Sequence, residues 1–156
     1  MKKLKVLRID ERLIHGQVVT AWLQKTKADT IVVADDIVAR DPLAGTLFKM
    51  AIPKSIELKI LSIDETIEFM EDDEPANVML ITGNLESTYE LIEKGLQISE
   101  INIGNINQSS EKKKYSKSIW LDDKDINYIH KIIDTGVDIK VQVVPSERKR
   151  DIASIL

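Results

Sequence analysis

The chain has no cysteine among its 156 residues. That excludes disulfides, a thiolate nucleophile and any zinc site built on thiolates. Aromatic residues make up only 4%, and the four prolines and six glycines form no linker and no low-complexity tract. An excess of positive charge is missing too. Twenty-two Lys and Arg face 26 Asp and Glu, a net charge of −4, whereas a general nucleic-acid binder is usually basic, so no nucleic-acid partner is expected. No apolar run approaches the roughly 18 residues that cross a bilayer, and MKKLKVLRID has no signal-peptide pattern, which implies a cytoplasmic protein. The glycines (16, 45, 83, 95, 104 and 136) never fall into G-x-G-x-x-G or G-x-x-x-x-G-K-[ST]. Neither a dinucleotide site nor a P-loop is supported, and no cofactor is implied.

What is present is ordinary globular composition, 43% hydrophobic and 31% charged, of a length that suits a single domain over 1–156. Seven short β-rich runs cross the chain: 3–9, 30–34, 56–61, 77–82, 100–104, 115–121 and 138–144. Several are nearly continuous in Val, Ile and Leu, as strands covered on both faces are. Between them apolar residues recur at helical spacing: Val18, Val19, Trp22 and Leu23; Leu85, Tyr89, Ile92 and Leu96; Ile126, Ile129 and Ile133. Ser62 with Glu65 has capping-box spacing, Asp122 precedes a helix, and Gly95 and Gly136 fall where helices stop. Strand and helix in alternation predict an α/β fold, one open, mostly parallel sheet of about seven strands with helices on both faces. The stretch NINQSSEKKK has no helical stripe, so an antiparallel hairpin is expected near residues 100–121, between the fifth and sixth runs.

In open α/β sheets ligands sit beyond the carboxyl ends of the strands. The first run leads into Asp10-Glu11-Arg12-Leu13-Ile14-His15-Gly16-Gln17, with Arg8 just before it. His15 is one of only two histidines. A loop histidine is often no more than surface; in this company it could be a general base, a metal ligand or a covalent phosphate carrier. A metal site would need carboxylates to complete it, since His130 lies on a distant helix, so no metal is expected. A base would lack a nucleophile to activate, there being no G-x-S-x-G elbow and no cysteine. A phosphate carrier uses every residue present. An imidazole with an ordinary pKa of about 6.5 has its lone pair available at neutral pH. Asp10 is placed to accept a hydrogen bond from one ring nitrogen, Arg8 and Arg12 to fork onto phosphoryl oxygens, and the amides of Gly16 and Gln17 to open a helix dipole toward the anion. Strand alternation puts residues 8, 10 and 12 on one side if the strand stays extended.

RIDERLIHGQVVTAW (8–22) resembles the signature of the IIB component of the mannose/fructose/sorbose family of the bacterial phosphotransferase system. TIVVADDIVARDPLAGTLFKMAIP (30–53), INIGN (101–105) and GVDIKVQVVPSE (136–147) are similar to further segments of that family, so the likeness spans nearly the whole chain. It implies that His15 is the phosphorylated residue. The phosphate would come from a phosphohistidine of the IIA domain and pass to a sugar bound by the IIC and IID membrane permease. The protein would then be cytoplasmic and peripherally associated with the inner face of the membrane through that permease; a homo-oligomer stays open. INIGN and the SKSIWLDDKDI after it look most like the N-acetylgalactosamine/galactosamine branch, where many members carry histidine at the position of Asn107.

Other features have plainer readings. His130 suits a partly covered place at a helix boundary, and Trp22 and Trp120 suit the core. Asp35, Asp36 and Asp41 either shape the cleft edge or cap the next helix, with capping preferred. Thr82-Gly83-Asn84 either touches phosphate or turns into a helix with Asn84 as its cap. Glu111-Lys112-Lys113-Lys114 reads as a solvated hairpin tip. Two other function classes remain: a non-catalytic sugar-binding module, and a receiver-like signalling module phosphorylated on aspartate. The receiver needs an aspartate and a lysine where this chain has Ser62 and Asn105.

Overall fold

A computed structural model describes residues Met1–Leu156. The chain runs through β1 (Lys2–Asp10), α1 (Gly16–Thr26), β2 (Thr30–Ala34), a 3-10 turn (Val38–Arg40), α2 (Pro42–Met50), β3 (Glu57–Leu61), α3 (Ile63–Glu71) and β4 (Ala76–Thr82). It continues with α4 (Leu85–Glu93), β5 (Glu100–Asn105), β6 (Lys113–Ser116), β7 (Ile119–Leu121), α5 (Asp123–Asp134), β8 (Asp138–Val141), β9 (Arg150–Asp151) and a last 3-10 turn (Ile152–Ser154). The main sheet has seven strands in the order β3-β2-β4-β1-β5-β8-β9. All its pairings are parallel except β8 with β9. This is the expected α/β architecture.

Each face of the sheet has its own core. Leu7 and Ile9 of β1 point into a cluster of 21 buried residues roofed by α3, α4 and α5, with Leu80, Leu91 and Ile129 among its members. The other face buries 11 residues under α1 and α2, including Val19, Trp22, Leu23, Met79 and Ile81. A fully buried side chain of this kind contributes about 1.5–3 kcal/mol. Strand alternation therefore turns Arg8 and Asp10 to the α1 side, opposite Leu7 and Ile9. The chain leaves β1 toward β2 but leaves β5 toward β8, so the connections diverge between these neighbouring strands. The crevice at their carboxyl ends is where such sheets bind ligands.

The local signals hold. Ser62 with Glu65 and Asp122 with Asp125 form complete capping boxes. Asn84 accepts from Ser87 N to open α4, and Gly95 and Gly136 take positive φ where α4 and α5 end. Four details differ from expectation. A hairpin does lie in the predicted stretch, but its arms are β6 and β7, because the run 115–121 turns at Lys117-Ser118. β5 stays in the main sheet between β1 and β8. The seventh sheet strand is the short β9, reached after β8 stops at Val141 instead of Val144. On α5 the buried residues are Ile129 and Ile132, and Ile133 is 40% exposed. Three residues at offsets of three and four cannot distinguish a stripe from its neighbour one position away.

Candidate functional site

The loop from β1 to α1 is shaped by a backbone conformation that sequence patterns do not reveal. Leu13 N donates to Asp10 O at 2.8 Å, and Leu13 itself has φ 62°, the left-handed region. For a non-glycine residue this costs roughly 1–2 kcal/mol. Burial of Leu13 and Ile14 in the core under α1 offsets it. With those two turned inward, Arg12 and His15 are turned outward. His15 is the N-cap residue of α1; its carbonyl accepts from Val19 N at 3.0 Å, while its ring caps nothing. The ring is exposed and makes no hydrogen bond to the rest of the chain. No acidic residue occupies the first turn of α1, so the amides of Gly16 and Gln17 keep their partial positive charge for an incoming anion.

Arg12 is tied down by Asp10. The carboxylate accepts from Arg12 N at 2.9 Å, Arg12 Nε at 3.1 Å and Arg12 Nη2 at 3.0 Å. One guanidinium edge is thus held while the side chain stays 34% exposed. Asp10 is 1% exposed and also accepts from Arg8 Nη2 at 3.3 Å. Its four contacts leave it bonded to the two arginines and not to the imidazole, so the expected Asp10–His15 hydrogen bond is not made. The strand ends at Asp10 and the chain turns, which takes His15 away from it and folds Arg12 back over it.

Arg8 does not face the phosphate either. It is 1% exposed and does not face the rim. Its Nη1 donates to Asn102 Oδ1 at 2.8 Å and to Gln142 O at 3.0 Å, and its guanidinium lies 5.4 Å from the Trp22 ring centre. Burial lowers its pKa to about 10, with Asp10 pulling the other way. Arg8 is a strut under Asp10, not a phosphate clamp. Three residues outside the singled-out set make this possible: Asn102, Gln142 and Gly104. A Cβ on Gly104 would overlap the Arg8 guanidinium. The glycine in INIGN is the only sequence trace of that close approach.

The aspartates and Thr82 take their plainer places. Asp35 accepts from Ile37 N and Val38 N, Asp36 from Ile63 N, and Asp41 from Leu43 N. Thr82 is buried, its hydroxyl paired with Thr88 at 2.7 Å, so it does not reach the rim. Asn107 N donates to Glu11 and its side chain accepts from Asn105, which ties the segment after β5 to the β1–α1 loop. Glu111–Lys114 is not the hairpin tip, which lies at Lys117-Ser118: Lys112 is half-buried and pairs with Asp125 at 3.0 Å, and Lys113 and Lys114 are exposed on β6. Trp22 donates to Val143 O from the core; Trp120 is half-buried and not in the core, because it lies on β7 of the separate two-stranded hairpin. His130 is exposed on α5 and not partly covered, because it points away from the Ile129/Ile132 face. Ser62 caps α3 and Asn105 bonds Asn107, so the receiver reading finds neither its aspartate nor its lysine. A hollow of about 540 Å³ between β1 and β5 opens at Leu4–Leu7 and Gln97–Glu100, near the strands' other ends. His15 stands instead on an open rim.

An open parallel sheet that presents one unpartnered imidazole and one tethered guanidinium where its strand connections diverge, with no nucleotide loop, has the layout of a carrier for a small anionic group. The comparisons give that class its family. The family model described as the PTS system sorbose subfamily IIB component matches residues 4–156, and the chain belongs to that family. It is a phosphocarrier and phosphotransferase of the sugar phosphotransferase system. The N-acetylgalactosamine-specific phosphotransferase enzyme IIB component 1 of Escherichia coli is 32% identical over 147 residues, 93% of each chain. The mannose-specific EIIAB component of Escherichia coli is 31% identical over 91% of this chain and 45% of that protein. Among solved structures, the IIBSor domain of the sorbose permease from Klebsiella pneumoniae superposes with a TM-score of 0.90 at 29% identity, covering 97% of this chain and 94% of that one.

Proposed function

We propose that His15 carries the phosphoryl group, taking it from a phosphohistidine of a IIA domain and passing it to a sugar held by the IIC/IID permease. The observation that carries this reading is the exposed His15 ring with no partner of its own, at the start of α1 with its open amides and three residues after the tethered Arg12. The lone pair of an unprotonated His15 nitrogen forms the new N–P bond as the donor's P–N bond breaks, and that electron pair returns to the donor ring. No redox step and no nucleotide is involved. Charge spreads over the equatorial oxygens in flight. Arg12 offers them the guanidinium edge that Asp10 leaves free, and the Gly16 and Gln17 amides add the helix end. Handing over to the sugar reverses the roles: a sugar hydroxyl oxygen forms its O–P bond as the His15 N–P bond breaks, and the hydroxyl proton goes to the freed imidazole.

The protein then works at the cytoplasmic side of the membrane, docked through the permease. We put N-acetylgalactosamine and galactosamine first among the sugars, on the resemblance of INIGN and SKSIWLDDKDI to that branch, ahead of mannose, fructose and sorbose. The experiment is mass spectrometry after incubation with a phosphorylated IIA domain. One phosphoryl group is expected on His15, labile in acid and stable in alkali. Label persisting in His15→Ala, or found on His130, overturns the assignment. With ATP and any of these sugars but no partners, no sugar phosphate should form.

A further inference from the structure

The chief exposed apolar feature next to the site lies on α2. Leu43, Leu47 and Met50 recur at offsets of four and three on one outward face, and are 69%, 64% and 80% exposed; Ile37, on the turn before the helix, is 82% exposed. The opposite face is engaged, with Ala44 buried and Phe48 packed on the core under α1. Apolar patches of this kind mark interaction sites. A Cβ on Gly45 would meet Ile60 of β3 at 3.7 Å, and one on Gly16, which follows His15, would meet the carbonyl oxygen of Ala51, just past the last turn, at 3.4 Å. The helix therefore runs from β3 toward the first residue of α1, and the end that carries Met50 lies next to the residue that follows His15.

We propose that this stripe seats the phosphohistidine-bearing IIA domain during transfer to His15; the inference rests on the reading of His15 as phosphate acceptor. Transfer between two imidazoles needs both rings at the middle of a face-to-face contact. A standard interface covers roughly 800 Å² per partner, a disc of about 16 Å radius. Centred on His15, such a disc reaches along α2, whose nine residues span only about 13 Å. A second copy held on the stripe would cover the nucleophile. An anionic membrane surface wants a basic helix face, and α2 carries a single cation, Lys49, in a chain of net charge −4. A sugar bound inside a permease needs the His15 tip and little of the flank. What remains is a transient protein partner, oriented by Arg12 and held by a small apolar surface.

The test measures the rate of phosphoryl transfer from a phosphorylated IIA domain to wild type and to Leu47→Glu/Met50→Glu, both exposed positions whose replacement leaves the core untouched. The half-saturating concentration should rise about tenfold or more, as loss of interface anchors does, while the saturating rate stays within about threefold. Phosphorylation of His15 by the small donor phosphoramidate should be unchanged. Ile133→Glu, an exposed apolar residue on α5, should behave as wild type. An unchanged half-saturation overturns the proposal, and so does an equal loss with phosphoramidate, which would mean that α2 acts through the loop. A wild-type dimer that the variant converts to monomer would assign the stripe to a second copy. A defect confined to sugar phosphorylation with permease vesicles would assign it to the membrane partner. If wild type takes no label at all, the His15 reading fails separately, and calorimetric titration with the IIA domain still decides the stripe.

Discussion

Removing Arg8 and Asp10 singly and together should separate stability from transfer. Arg8 is buried deeply enough that its pKa falls from the ordinary guanidinium value to about 10 despite Asp10 beside it. The charged guanidinium is thus disfavoured in its site by about 3 kcal/mol relative to water, at 1.36 kcal/mol per unit. It remains charged at pH 7, and buried pairs of this kind are weak sources of stability. Arg8→Met leaves the 1%-exposed Asp10 with only Arg12 as counter-charge, and Asn102 Oδ1 without its 2.8 Å donor. Breaking such a pair from one side costs about 3–5 kcal/mol. In Arg8→Met/Asp10→Asn the uncompensated charge is gone, and about 1–3 kcal/mol of the summed single losses should return as coupling. Phosphoryl transfer should not return with it, because an amide at position 10 cannot hold both Nε and Nη2 of Arg12 as the carboxylate does. Urea unfolding gives the stabilities, and single-turnover transfer from a phosphorylated IIA domain gives the rates. A double variant that transfers phosphate like wild type would refute the view that the strut serves Arg12. Strictly additive losses would refute the coupling.

Three further outcomes follow from single contacts. Gly104→Ala drives a Cβ into the Arg8 guanidinium and should destabilise by about 1–3 kcal/mol, as overpacking does, read from the urea midpoint. Arg12→Ala should slow transfer by roughly 10²–10³, the usual cost of one anion-stabilising donor; Arg12→Lys should fall between it and wild type, since the charge remains without the planar fork. Hydrogen bonds from Asp125, the backbone amide above all, hold the Asp122 carboxyl below its ordinary value. The unfolded chain therefore takes up that proton first as pH falls. Asp122→Ala should cost about 1 kcal/mol at pH 7, with the gap to wild type narrowing as pH falls below the ordinary carboxylate range; a gap that does not narrow with acid would mean that the charged cap is not what stabilises α5.

The chain by itself determines the alternation of strands and helices, the caps at Ser62, Asn84 and Asp122, and the concentration of chemistry after the first strand. These rest on interactions within a few residues: alternation, side-chain-to-backbone caps, turns. The same locality makes RIDERLIHGQ legible as a site. It does not tell which charged groups face the rim. Arg8 and Arg12 are equivalent in sequence, two positions either side of Asp10. Only the tertiary structure separates them, because the partners that draw Arg8 inward lie 94 and 134 residues away and the space it enters exists only where Gly104 lacks a side chain. The left-handed Leu13 is likewise invisible in a pattern, since its strain is tolerated only once a core exists to bury its side chain. The break at Lys117-Ser118 is tertiary as well: β5 is already flanked by β1 and β8, so the run after it had to fold back on itself.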